Sequence, residues 1–93
     1  MFLVIIDINF KKELESDFKI WFSKSHNILS KFEGLVSRRL VNSTGDKHSI
    51  IVEHQSRETF DKMYQSEEYT RLQSEAASSF KVKPLKPSVY NLV

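Results

Sequence analysis

The chain has 93 residues, of which 40% are hydrophobic and 12% aromatic, and its formal net charge is +2 at pH 7. This length predicts one domain over residues 1–93, and the apolar content favours a packed core over disorder. No cysteine is present, which excludes disulfides, thiolate chemistry and cysteine-ligated metals. The small, interspersed charge argues against a nucleic-acid partner.

The apolar run at residues 2–6 predicts a buried strand. It has no basic flank, Asp7 interrupts it, and no cleavage site follows, so it does not resemble a signal peptide. No stretch approaches the ~18 apolar residues that cross a bilayer. We therefore expect a cytoplasmic protein without a membrane partner.

The hydrophobic periodicity predicts seven elements in the order β-α-β-β-α-α-β. A long amphipathic helix is predicted from Lys11 to just before Gly34, and Ser56 and Ser66 are predicted N-caps of two shorter helices. The four predicted strands cover residues 2–9, 35–42, 48–54 and 88–93.

The second strand is predicted to place Val36 and Leu40 on one face, with Leu35 and Val41 on the other. The element order predicts an α+β fold, a four-stranded antiparallel sheet with helices on one face. Since several strands are apolar on both faces, the open face also needs a cover. A second copy of the chain is the simplest cover, which predicts a homodimer with a barrel-like core.

Several passages resemble the antibiotic biosynthesis monooxygenase family of the dimeric, ferredoxin-like α+β barrel superfamily. They are the first strand, the Phe32-Glu33-Gly34-Leu35 junction, the passage from Glu53 to Phe60, the Ser66-Glu67-Glu68-Tyr69 segment and the closing strand. The resemblance implies a monooxygenase that acts on a small aromatic, quinol-type or carbonyl substrate. It also implies that neither metal nor flavin is used.

Seven side chains are candidates for a cleft between the helices and the sheet. His26 or His54 is the candidate base, because imidazole titrates near neutrality. The candidate groups that hold a substrate oxygen are Tyr64 and Gln73. The other candidate substrate contacts are Phe22, Met63 and Tyr69. Each has a structural alternative, as a core ring, a paired amide or a residue at the edge of an apolar stripe.

Asp7 is a further candidate substrate contact, because a carboxylate that interrupts an apolar strand is either paired or functional. Arg38, Arg39 or His26 is its candidate partner. The two arginines pairing with Glu53 across strands is an equally plausible arrangement.

Two other groups of charged residues have simple explanations. His48 and His54 lie six residues apart on one strand, about 20 Å, and cannot share a metal ion. Lys81, Lys83 and Lys86 form a basic cluster that either attracts an anionic ligand or is simply solvated.

Two alternatives to an oxygenase remain open. One is a non-catalytic dimer that binds or senses a small molecule. A pocket of ~300 Å³ or more with polar groups would favour the enzyme over this alternative. The other is a haem-degrading protein. Resemblance to that branch of the family places Met63 and Gln73 at its tryptophan and iron-ligating histidine positions, and Ile6 or Asp7 at its asparagine position, so haem degradation is disfavoured.

Overall fold

Residues 1–82 and 87–93 are described by a computed structural model. One four-stranded sheet carries the helices on one face, in the predicted order β-α-β-β-α-α-β, which is confirmed. The elements are β1 (Phe2–Asn9), a 3₁₀ turn (Lys12–Leu14), α1 (Glu15–Leu29), β2 (Leu35–Asn42), β3 (Lys47–His54), α2 (Arg57–Tyr64), α3 (Glu67–Phe80) and β4 (Ser88–Asn91).

The strands follow the order β2-β3-β1-β4, and every neighbouring pair is antiparallel. Val4 lies opposite Val52, and Ile6 opposite Ile50, on the face that the helices cover. This inner face and the buried sides of the helices form the core. The β-branched residues of β1 and β3 favour this packing because they fit a pleated surface with neighbours on both sides.

Both predicted serine caps are confirmed. Ser56 Oγ accepts a hydrogen bond from the Thr59 backbone N–H at 3.2 Å, and the Thr59 hydroxyl oxygen accepts one from the Ser56 N–H. Ser66 Oγ likewise accepts from the Tyr69 N–H at 3.2 Å. These bonds satisfy N–H groups that a helix leaves without an internal partner, so each helix begins at a defined residue.

The prediction of a helix from Lys11 to just before Gly34 was wrong at both ends, because α1 begins at Glu15, after the 3₁₀ turn, and ends at Leu29. The Phe32 N–H bonds to the Leu29 carbonyl at 3.0 Å, so a turn follows the helix. Phe32 still packs against the core, which is why the apolar spacing continued past the helix end. Gly34 has a φ of +89°, and a Cβ there would lie 2.4 Å from Thr59 Oγ1, so this position requires glycine.

A β-bulge interrupts β2 between Leu35 and Ser37. Leu35 lies opposite His54 and Leu40 opposite Ile50, so both point to the inner face although they are five residues apart. The predicted faces of this strand were therefore wrong, because the extra residue, Val36, reverses the alternation. The bulge also leaves Arg38 opposite Val52, on the inner face.

None of the helices in the described part of the chain combines the length and apolar character that crossing a bilayer requires.

Candidate functional site

A pocket of about 250 Å³ lies between the inner face of the sheet, α1 and α3. Its volume is slightly below the ~300 Å³ at the lower end of typical ligand sites. Apolar side chains form most of its wall, namely Ile6, Ile8, Phe18, Trp21, Leu29, Ile50, Leu72, Ala76, Ala77 and Val82. The polar residues along it are Ser25, Arg38, Tyr69, Thr70, Gln73 and Ser74.

Arg38 brings a positive charge to this apolar pocket. Its Nη1 donates a hydrogen bond to Ser25 Oγ at 3.1 Å, and its guanidinium carbon lies 4.5 Å from the centre of the Phe22 ring. Burial lowers the pKa of Arg38 to about 10, so the side chain remains charged at neutral pH. No carboxylate in residues 1–82 or 87–93 forms an ion pair with it.

Ser25 and Phe22 hold Arg38 in place from α1. Ser25 is fully buried, and its hydroxyl donates to the Phe22 carbonyl at 2.7 Å while accepting from Arg38. The Phe22 ring offers its electron-rich face to the guanidinium, a favourable cation–π contact. The orientation of the arginine is therefore set by two residues one helical turn apart.

Tyr69 and Gln73 line the pocket from α3, four residues apart on the same side of the helix. Burial raises the pKa of the Tyr69 hydroxyl to about 12, although the nearby Arg38 charge acts in the opposite direction. The phenol is therefore protonated at neutral pH and can donate a hydrogen bond. The Tyr64 ring packs against it with 5.0 Å between centroids.

Trp21, the one tryptophan in the sequence, was not predicted as a site residue. It lines the pocket and packs against Phe18 and Phe80, with ring centroids 5.2 and 6.2 Å apart. Its buried indole N–H has no acceptor among the described residues. Trp21 belongs to the apolar side of α1, and from the sequence an indole at such a position is hard to distinguish from an ordinary core ring.

The predicted site residues are only partly brought together. Tyr69 and Gln73 line the pocket. Phe22 does not line it but contacts Arg38, which does, and Tyr64 packs against Tyr69. Met63 is fully buried in the core and is not part of the pocket wall.

Neither predicted base lines the pocket, so this part of the prediction does not match the geometry. His54 lies four residues beyond Ile50 on β3, about 13 Å along the strand. It is fully buried, its Nδ1 lies 3.1 Å from Thr59 Oγ1, and burial lowers its pKa. His26 is partly buried on α1, and its Nδ1 has no partner among the described residues.

Asp7, predicted as a further candidate substrate contact, lies on the open face of the sheet, away from the helices and the pocket. It is exposed and accepts a hydrogen bond from Ser49 Oγ at 2.7 Å. Arg38 points to the opposite face, which rules out the predicted pairing of these two residues. Glu53 accepts from Ser37 Oγ at 3.2 Å instead of pairing with an arginine.

The remaining charged side chains of the described residues are not arranged as a metal centre. The His48 ring stacks on Phe10, and its Nε2 lies 2.9 Å from Glu15 Oε2. The pKa of Glu15 is lowered, first of all by this hydrogen bond. Within the described residues, no three histidine or carboxylate side chains are placed to hold a metal ion. Of the predicted lysine cluster, Lys83 and Lys86 lie outside those residues.

Comparison with known proteins identifies the fold. No protein-family model and no curated protein matches the chain. A proposed antibiotic biosynthesis monooxygenase from Deinococcus radiodurans covers 100% of this chain with 93% of its own length, at 10% identity and a TM-score of 0.83. One from Nitrosomonas europaea covers 100% with 99% of its own length, at 15% identity and a TM-score of 0.80.

SnoaB from Streptomyces nogalater, described as a cofactor-independent oxygenase, matches 99% of this chain with 93% of its own length. The identity is 8% and the TM-score 0.77. The chain thus has the ferredoxin-like α+β fold of the antibiotic biosynthesis monooxygenases, which confirms the resemblance at the level of the fold.

Proposed function

We propose that the protein is a cofactor-independent monooxygenase that oxidises a small planar phenol, quinol or related carbonyl compound. The observation that carries this proposal is the apolar pocket that combines Arg38, Tyr69 and Gln73. An apolar cavity with few polar groups is the usual form of a site for an aromatic ligand. The fold shared with SnoaB along almost its whole length supports the same reaction class.

The reaction must balance without an external reductant. A phenol with a free para position reacts with O₂ to give a quinone and water. One oxygen atom becomes the new carbonyl, and the other leaves as water with two hydrogens from the substrate. The substrate itself supplies all four electrons. It does so more readily as its phenolate or enolate, because the anion is the better electron donor.

The pocket can favour that anion without a histidine base. The Arg38 charge stabilises a phenolate or enolate oxygen and lowers the pKa of the bound substrate. The Tyr69 hydroxyl, which stays protonated, and the Gln73 amide can donate hydrogen bonds to the same oxygen. The proton then passes to solvent, and the anion reacts with O₂ inside the apolar pocket.

We further propose that the protein is a homodimer formed through the open face of its sheet. Leu3, Ile5 and Ile51 lie side by side on that face, and Tyr90 beside them is 52% exposed. A chain of this size has too little structure to cover both faces of its sheet. A second sheet packed on this patch would remove it from water.

A non-catalytic binding protein is the second candidate, and two observations favour it. The pocket volume of about 250 Å³ is below the ~300 Å³ that would favour an enzyme. No histidine lines the described pocket, so a substrate that needs a strong base would bind without reacting. Under this alternative, the same pocket carries or senses an aromatic ligand.

Oxygen uptake distinguishes the two. The purified protein is incubated aerobically with a panel of phenols and naphthols that have a free para position and of hydroquinones that have a free ring position, and O₂ consumption and formation of the oxygenated quinone are followed together. A hydroquinone that merely loses two electrons releases H₂O₂ and does not count as oxygenated. We expect equimolar quinone and O₂, unchanged by catalase because no peroxide is released. Tyr69→Phe and Gln73→Leu should slow turnover, whereas Tyr90→Phe, on the open face, should not. No consumption above buffer across the panel would favour the binding protein.

A further inference from the structure

Arg38 is a cation without a counter-ion in the described structure. Arginine has five N–H donors. Nη1 contacts Ser25, a neutral group, and the other polar lining residues are hydroxyls and an amide. Arg38 is partly buried, and a charge partly withdrawn from water is costly unless it is paired, so this side chain provides a place for an anion.

The surroundings of Arg38 show which kind of anion fits. The aromatic rings of Phe18 and Trp21 and the aliphatic chains of Ile6, Ile8 and Ile50 make up the neighbouring wall. A free phosphate or sulfate would leave these surfaces in contact with water. An aromatic anion covers them while its charged group reaches the guanidinium. A volume of about 250 Å³ is small for a drug-sized ligand, which favours one or two rings over a larger polycycle.

We propose that the pocket selects a one- or two-ring aromatic substrate that is bound as an anion, with its oxyanion on the Arg38 guanidinium. The oxyanion is a carboxylate, which can accept two parallel N–H hydrogen bonds from the guanidinium, or an ionised acidic phenol or enol, which presents a charged oxygen to it. That the bound anion is a substrate rests on the proposed oxygenase function, but the binding of the anion does not. Ser25 and Phe22 act as positioning residues, since they fix the guanidinium without contacting the ligand.

Trp21 gives a direct measurement of this binding. It is the single tryptophan of the chain and lines the pocket, so a ligand that enters changes its fluorescence. The probes are 1-naphthoate and its neutral isostere 1-naphthamide, with 2-hydroxy-1,4-naphthoquinone as the ionised enol. We expect the two anions to bind about tenfold or more tightly than the amide, because a hydrogen bond to a charged group is stronger than one between neutral groups.

Variants assign the preference to one residue. Arg38→Met should remove the preference for naphthoate over naphthamide, and Arg38→Lys should retain part of it. Arg39→Met is the matched control, because Arg39 lies on the opposite face of the same strand and is exposed. It should leave both affinities unchanged. Circular dichroism checks that each variant is folded.

The proposal would be overturned if neither naphthoate nor the ionised enol bound the wild-type protein more tightly than naphthamide, irrespective of the results for the variants. A preference that survives Arg38→Met would also overturn it. If only the carboxylate or only the ionised enol binds, the result identifies which oxyanion the pocket takes. Oxygen uptake without anion preference would leave the oxygenase standing and this inference wrong, and anion binding without oxygen uptake would do the reverse.

Discussion

His54 Nδ1 lies 3.1 Å from Thr59 Oγ1, and this contact determines which imidazole nitrogen carries the proton. The Thr59 hydroxyl donates its own hydrogen to the Ser56 carbonyl at 2.9 Å, so it can only accept from His54. Nδ1 therefore carries the hydrogen and Nε2 is bare. Nε2 is buried without a partner among the described residues, so an N–H formed there would have no hydrogen-bond acceptor.

This arrangement predicts that acid destabilises the fold through His54. Burial lowers its pKa in the folded protein below the ordinary 6.5. Below pH 6.5 the unfolded chain binds a proton that the native state does not, so stability falls as pH falls and the loss is complete below the folded pKa. Urea unfolding at pH 8.0 and pH 5.5 should show a smaller pH dependence for His54→Gln than for wild type. A native-state ¹⁵N spectrum with both His54 nitrogens protonated at pH 6.5 would contradict this.

Gly34 and Gly45 both have a positive φ, but only Gly34 lies close to α2. Comparing the two positions therefore isolates the effect of that close contact. Gly34→Ala should destabilise by about 2 kcal/mol or more, because its Cβ would overlap Thr59 in addition to the backbone strain. Gly45→Ala should cost about 1 kcal/mol, since φ is also positive there but nothing lies within 4 Å. Urea denaturation gives both free energies. Equal losses for the two variants would mean that the chain at Gly34 adjusts freely.

The proposed dimer predicts a mass of about twice 10.9 kDa by light scattering at micromolar concentration. Ile51→Glu, in the middle of the open face, should give a monomer, because it buries a carboxylate in the interface. Ile20→Glu is the control, since Ile20 is 71% exposed on α1 and far from that face. A wild-type monomer, or equal effects of both substitutions, would count against the sheet-to-sheet dimer.

Haem should not form a specific one-to-one, histidine-ligated complex with this protein. The pocket presents the Gln73 amide, which is a poor ligand for haem iron, and His54 is fully buried elsewhere in the core. A haem titration followed at the Soret band should show only weak, non-saturating changes. A saturable shift at stoichiometric haem that His26→Ala or His54→Ala abolishes would restore haem degradation as a function.

The sequence determined the order of the elements because each has a strong local pattern. The strand β1 is rich in β-branched and other apolar residues, and Ser56 and Ser66 precede their helices at cap positions. The pocket was harder to predict. Its positive charge comes from Arg38, and which face of β2 carries Arg38 depends on the extra residue in the bulge. A period-two pattern counted through Val36 gives the wrong faces, and periodicity does not indicate where a bulge lies.

The histidines show a second limit. His26 and His54 were attractive as bases because of their chemistry, but chemistry alone does not place a side chain. Their position relative to the pocket depends on how far along β3 and α1 each lies from the residues that form its wall. That distance is a property of the packed tertiary structure.

The bulge at Val36 also affects which surfaces of the molecule can associate. β2 is one outer strand of the sheet, and the outer strand on the other side, β4, has only four residues. An outer strand can recruit a further chain through its free N–H and C=O groups, provided that they form a long regular row. The bulge interrupts that row near the start of β2 and shortens its regular part to residues 37–42, and β4 is too short to present a long row. Edge-to-edge addition of further chains into an extended ribbon is therefore disfavoured, which is consistent with the proposed dimer, in which sheet faces stack instead.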